Sequence, residues 1–380
     1  MGRGQLGCGF GAGEVEARGP RGIVVAFFDV TMKVYSCNNC QNPLYFENSV
    51  CLKCSHPVGF DPVSMTMITL TRGNGKVFSN ATRGKDLYSY CQNAEYGVCN
   101  WLVPAAGEPG YCIACTLNRT IPDLGSDQNR SRWKNLEVAK HRLVYSLLRL
   151  HLPFEVERGA EKEAIEFDFL SDSPSGEKVM TGHDNGIITI NISEADEVER
   201  VRHKLDLGER YRTLLGHFRH EIGHFYWDVL VSGGAALGEF RRLFGDERRD
   251  YEAALQTYYA NGAPADWNQH FISQYAVSHP WEDWAETWAH YLHMMDALET
   301  AWSFGMHVDA TVPLVGKSGN PGDPYEEKVF DRLIQRWLPL CFALNSLNRS
   351  MGHADFYPFI LSADVVEKLR FIHGVCHGGA

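Results

Sequence analysis

Between residues 130 and 150 the apolar positions Trp133, Leu136, Leu143, Leu147 and Leu150 recur at helical spacing, which predicts a helix. Two shorter patterns follow. Residues 164–170, AIEFDFL, predict a strand. Residues 179–192, VMTGHDNGIITINI, predict a strand, a tight turn at Asp184-Asn185-Gly186 and a second strand with Ile188, Ile190 and Ile192 on one face. The pattern then turns helical over 194–231, with a break at Leu207-Gly208, and over 236–244, 249–260, 267–277, 281–304, 325–348 and 363–373. This order predicts an α+β domain over 126–380, mostly helical with a small antiparallel sheet. Upstream, residues 32–125 are turn-rich and short in regular pattern, and TIPDLGSDQN (120–129) reads as a linker to a small Cys-rich module. The first 31 residues are Gly-rich and unpatterned. MKVYSCNNC then begins at Met32 like a fresh start, so residues 1–31 are expected to be a disordered or artefactual extension.

Composition narrows the function. The 380 residues are 44% hydrophobic, enough for a sizeable core, and carry a formal charge of −11. That charge argues against a whole-protein affinity for nucleic acid or an anionic membrane. No apolar run approaches the ~20 residues of a membrane span, and no signal peptide is read at the start. A cytoplasmic protein is expected. Eight of the eleven cysteines fall between Cys37 and Cys115, and in an unexported chain such clustering points to metal rather than disulfides.

The segment GHFRHEIGHFYWD (216–228) puts three histidines and a glutamate in an otherwise apolar helix. HEIGH, residues 220–224, fits H-E-x-x-H: on a helix His220 and His224 share a face and converge on one zinc ion, while Glu221, rotated about 100° from His220, lies beside the metal. There Glu221 can take a proton from an attacking water whose pKa zinc lowers towards ~7. Asp228, one turn beyond His224, is a candidate to support a ligand histidine, and His217 is either a second such group or a satisfied core histidine. Catalytic zinc usually takes three protein ligands, the third from a separate element. The best source is HPWEDWAETWAHYLH (279–293), where Glu282, Glu286, His290 and His293 form a polar stripe on an aromatic helix, in a region with no Lys or Arg from 250 to 316.

H-E-x-x-H followed by a helical E-x-x-A-E resembles the gluzincin metallopeptidases, especially the lethal-factor-type group. The resemblance implies that Glu282 is the third zinc ligand, that Glu286 supports a ligand, and that Tyr275, seven residues before Glu282, stabilises the oxyanion; Asp283 remains a rival ligand. The opening MKVYSCNNCQNPLYFENSVCLKC together with HFRHEIGHFYWD and HPWEDWAETWAHYLH resembles a bacterial family of zinc-binding metallopeptidases with an N-terminal zinc ribbon. That likeness covers nearly the whole chain from Met32 and implies a zincin-like domain acting on a peptide or protein substrate. A strand ending near Ile192 could then pair with an extended substrate.

Cys37, Cys40, Cys51 and Cys54 form C-x2-C-x10-C-x2-C, the spacing of a four-thiolate structural zinc site. Gln41 and Ser55 stand where such knuckles often have Gly. Cys91, Cys99, Cys112 and Cys115 form a looser set, C-x7-C-x12-C-x2-C, read as a second structural zinc. Residues 33–119 hold seven Lys or Arg against five Asp or Glu. Each four-thiolate zinc adds about −2, so the module is a poor partner for nucleic acid and better suited to docking a protein. The expected protein is a zinc metallopeptidase with one catalytic and one or two structural zincs. Its rivals are a ribbon interaction protein with a non-cleaving zincin domain and a zinc hydrolase of non-peptide amides.

Overall fold

A computed structural model describes residues 34–73, 75–105, 110–158, 161–172, 178–196, 213–308 and 322–378. The expectations for residues 1–31 and for a break at Leu207-Gly208 lie outside these residues.

The Cys-rich N-terminal module is more regular than its sequence suggests. A short hairpin, β1 (Tyr35–Ser36) and β2 (Pro43–Leu44), carries the first Cys pair on its turn. An antiparallel sheet of five strands follows in sequence order: β3 (Val58–Asp61), β4 (Thr66–Arg72), β5 (Phe78–Asn80), β6 (Leu87–Tyr90) and β7 (Leu102–Pro104). Most of these strands are too short to show a period of two, and β4 buries Met67 to Leu70 in an unbroken run rather than alternating. The module closes on aromatic rings. Phe60 packs at 4.8 Å from both Phe46 and Trp101, and Tyr145, from the first helix of the next region, joins them at 5.6 Å from Phe46.

That helix, α1 (Asp127–Arg149), starts three residues earlier than the apolar pattern indicates, because the Ser126 side chain caps it by accepting from the Asn129 amide. All five residues of its expected apolar stripe are buried. The hairpin of β9 (Glu155–Arg158) and β10 (Glu161–Ala164) leads into a sheet of order β12-β13-β11-β8, formed by β8 (Asn118–Thr120), β11 (Glu166–Leu170), β12 (Gly182–Asp184) and β13 (Ile187–Asn191). The turn between β12 and β13 falls where expected, with Asn185 at φ 47° and Gly186 at φ 84°. A Cβ at Gly186 would stand 2.5 Å from the Ala164 carbonyl oxygen, so only glycine fits.

Two expectations are corrected here. The sheet is mixed rather than antiparallel: β11 runs parallel to both β13 and β8, and only β12–β13 is an antiparallel pair. β13 is also not available to a substrate strand. β11 pairs with it throughout and β12 over Ile187–Thr189, so among the described residues the sheet's edges are β12 and β8.

The remainder is helical: α2 (Leu214–Leu230), α3 (Leu237–Phe244), α4 (Tyr251–Asn261), α5 (Pro280–Ser303), α6 (Phe330–Ser350) and α7 (Ala363–Cys376). The helix expected over 267–277 is instead two isolated 3-10 turns, Trp267–Gln269 and Tyr275–Val277. Pro280 explains the second boundary. It drives His279 into an extended conformation, φ −153° and ψ 152°, and α5 starts afresh with the His279 side chain as its cap. α5 is buried almost all round, with Trp284, Trp288, Tyr291, Leu292 and Met295 at or near zero exposure. It is the central helix of the core. Among the described residues, no helix is long and apolar enough to cross a membrane.

Candidate metal centre

α2 and α5 cross closely because of one residue. A Cβ at Gly223 would lie 3.1 Å from the Ala285 Cα and from the Trp288 ring, so the glycine lets the two backbones approach, and Trp284 Nε1 donates to the Gly223 carbonyl at 2.8 Å. Thr213 caps α2 through the Gly216 amide at 3.0 Å. One turn apart on this helix, His220 and His224 face Glu282 on α5. His220 Nε2 is 3.0 Å from Glu282 Oε2 and His224 Nε2 is 3.6 Å from Glu282 Oε1. One ligand atom from each residue lies within 4.8 Å of the other two, the spacing of donors around one ion.

The surroundings suit a cation. Glu282 Oε2 is buried and lies 3.0 Å from His220 Nε2. Its other oxygen accepts from the Tyr251 hydroxyl of α4 at 2.7 Å. His220 Nδ1 meets Glu286 Oε1 at 2.7 Å, the carboxylate support that ligand histidines commonly have. That carboxylate is Glu286; Asp228 is half-buried one turn beyond His224. Burial resists charge on these groups, but their mutual attraction outweighs it. His220 is held well above the ordinary histidine range by Glu282 and Glu286, and both glutamates are pulled down to about 2. His224 moves the other way, lowered chiefly by burial. Glu194, Glu221, Glu282 and Glu286 thus concentrate negative charge where a divalent ion would offset it.

Asp283, the rival ligand, points away. Its Oδ2 is 2.6 Å from Lys368 Nζ in a buried pair with α7, and burial lifts its pKa to about 7 despite that lysine.

Glu221 lies beside the three donors. Its Oε1 is 3.1 Å from His217 Nε2, and His217 Nδ1 is in turn paired with Glu194. Burial alone would suppress charge on His217, but Glu194 and Glu221 carry it up to about 9. Burial likewise opposes ionisation of Glu221, yet His217, His220 and His224 hold its pKa below the usual range. Tyr275, on its 3-10 turn, places its ring 6.0 Å from that of His220 and 5.9 Å from that of Tyr258, and its hydroxyl interacts with that of Tyr251. His183 of β12 stacks at 6.3 Å, 14° from coplanar, on His224. Tyr251, Glu194 and His183 carry no local sequence signal. Each reaches the site from a different element.

The first cysteine set also converges. Cys37 and Cys54 sulfurs are 3.5 Å apart and those of Cys40 and Cys51 3.6 Å apart, far beyond a disulfide bond. Gln41 and Ser55 hold φ of 58° and 59°, the left-handed turn that glycine would adopt more easily. Ser55→Gly is expected to raise stability by about 0.5–1 kcal/mol, since the relief of strain exceeds glycine's added chain entropy; chemical denaturation of the zinc-loaded protein measures it. Cys91, Cys99, Cys112 and Cys115 likewise bring their sulfurs within 4.8 Å of one another.

Family comparison points to zinc binding. Residues 129–375 match the family model described as "Putative zinc-binding metallo-peptidase", and residues 34–126 match a zinc-ribbon domain. The chain belongs to this metallopeptidase family. Two relatives, the uncharacterized protein Rv2568c of Mycobacterium tuberculosis and the uncharacterized protein Mb2598c of Mycobacterium bovis, are each 40% identical over 348 residues, covering 90% of this chain and 95% of theirs. No solved structure matches significantly. For a member of this zinc-binding family, Glu286→Ala is expected to weaken zinc at the His220 site by about 10–100-fold without abolishing it, because Glu286 meets His220 Nδ1 and lies outside the group of three donor residues. Chelator competition on the purified protein measures the change.

Proposed function

We propose that the chain is a zinc-dependent peptidase whose zincin-like domain hydrolyses peptide bonds. The observation that carries this reading is the meeting of His220, His224 and Glu282 on two helices held close at Gly223, with Glu221 beside them and outside the donor set. In this reading His220, His224 and Glu282 hold the metal. A zinc ion there would lower the pKa of the attacking water and polarise the scissile carbonyl. Glu221 accepts the water's proton and passes it to the leaving amine. His217, fixed by Glu194, orients Glu221, and Tyr251 holds the Glu282 carboxylate. Tyr275 donates its hydroxyl to the developing oxyanion. Burial raises its pKa, which keeps that proton in place at neutral pH. The two cysteine sets hold structural zinc, giving three ions per chain, and the ribbon presents a surface for a protein partner.

Digestion of an unbiased peptide library by the zinc-loaded protein, with and without chelation, tests the proposal. Metal-dependent internal cleavage is the expected result. A fully zinc-loaded protein that cleaves no member of the library would overturn it.

A further inference from the structure

The second cysteine set has a donor that its spacing does not reveal. His141 of α1 points Nε2 into the cluster, 3.2 Å from Cys99 Sγ, 3.9 Å from Cys112 Sγ and 3.8 Å from Cys115 Sγ. Its other nitrogen, Nδ1, is 2.6 Å from the Glu137 carbonyl oxygen. A carbonyl can only accept, so Nδ1 carries the proton. The opposite nitrogen, Nε2, is the one turned to the three sulfurs. A ring proton given to a backbone carbonyl, with the opposite nitrogen turned to a metal, is the habitual arrangement of a ligand histidine.

The neighbouring carboxylate is held mainly by groups outside the cluster, Lys140 above all. Glu137 is wholly buried: its Oε1 accepts from Trp133 Nε1 at 3.0 Å, Asn118 Nδ2 at 2.7 Å and Lys140 Nζ at 3.0 Å, while its Oε2 pairs with Lys140 Nζ at 2.9 Å and lies 3.9 Å from Cys115 Sγ. Beside it, four sulfurs and one imidazole give five sulfur and nitrogen donors around a site that a tetrahedral ion fills with four. The three sulfurs that touch His141 need one more donor. Cys91 is one candidate, itself accepting from the Cys112 amide at 3.3 Å, and His141 is the other.

We propose that His141 is a metal ligand of the second site, which Cys99, Cys112, Cys115 and His141 can hold as a three-thiolate, one-imidazole set for a zinc-class divalent ion, with Cys91 the dispensable thiol. This rests on the reading that the second cysteine set binds metal, and is independent of any peptidase activity. A consequence is that the ion is shared between the ribbon and α1. The same helix donates from Ser146 to Asp296 at 2.9 Å and from Tyr145 to Glu299 at 2.9 Å, both on α5. A metal on His141 would therefore tie the ribbon to the helix that carries Glu282.

Cadmium-113 NMR of the full chain, loaded with that isotope and labelled with nitrogen-15 histidine, tests the assignment. Two sulfur-rich cadmium lines are expected, and one is split by coupling to a histidine nitrogen. In Cys91→Ser the split line persists. In Cys91→Ser/His141→Ala it is lost, while the line from the Cys37 set remains as evidence that the module is folded. His141→Ala alone keeps the line, held by Cys91, but without splitting. Two sulfur-rich lines that both lack nitrogen coupling would overturn the proposal, as would loss of the second line in Cys91→Ser as complete as in Cys112→Ser. A single sulfur-rich line in the wild type would remove the second metal itself, and the His141 assignment with it.

Discussion

Glu221→Gln is expected to reduce kcat for peptide hydrolysis by about 10²–10⁴-fold, the range of a positioned general acid–base group. The amide has the carboxylate's shape but cannot take a proton. Glu221 is not one of the three donor residues, so zinc content should stay at the wild-type level. The fold should survive as well, because the amide oxygen can still accept from His217, now 3.1 Å away. Parallel measurement of turnover and bound zinc separates this from metal loss. A variant with full zinc and near-normal turnover would place the proton transfer elsewhere and remove the mechanism. A variant that loses zinc would instead show that Glu221 belongs to the metal's own shell.

Tyr275→Phe should cost about 10²–10³-fold in kcat, or ~3–4 kcal/mol, which is the usual value of one oxyanion donor. The effect should fall on kcat more than on KM, since that charge develops only in the transition state. The ring keeps its packing against His220 and Tyr258, so thermal stability and zinc content should barely move. A rate within a few-fold of wild type would mean that Tyr275 is a packing residue. Tyr251 would then be the next hydroxyl to consider, because it already reaches Glu282 at 2.7 Å. Tyr251→Phe can be told apart, since loosening Glu282 should lower zinc affinity as well as rate.

What was legible in the sequence was what lies close together along the chain. The stripe from Trp133 to Leu150 marked α1. His220, Glu221 and His224 are displayed by a single turn of α2, and Glu282 and Glu286 by a single turn of α5. Helical periodicity encodes all of these directly. The turn at Asn185-Gly186 was readable for a similar reason: positive φ at two successive residues strongly favours this pair. The omissions share the opposite cause. Tyr251 reaches Glu282 across 31 residues, Glu194 reaches His217 across 23, and His141 reaches Cys99 across 42, and no spacing rule links them. The direction of β11 was also hidden. A strand's own pattern says which face is buried, but not whether its neighbour runs with it or against it.

β8 gives a practical warning about cutting this protein apart. It lies before residue 126, yet pairs with β11, Phe167 opposite Asn118 and, past a shift in register, Asp168 opposite Thr120. A shortened chain starting at residue 129, where the metallopeptidase match begins, would lack it. The backbone of Phe167 and Asp168 would then join a bare strand edge. Such edges recruit other chains, so the truncated protein should self-associate or precipitate. An inactive or insoluble fragment of that kind would report on a missing strand, and should not be taken as evidence about the ribbon's part in cleavage.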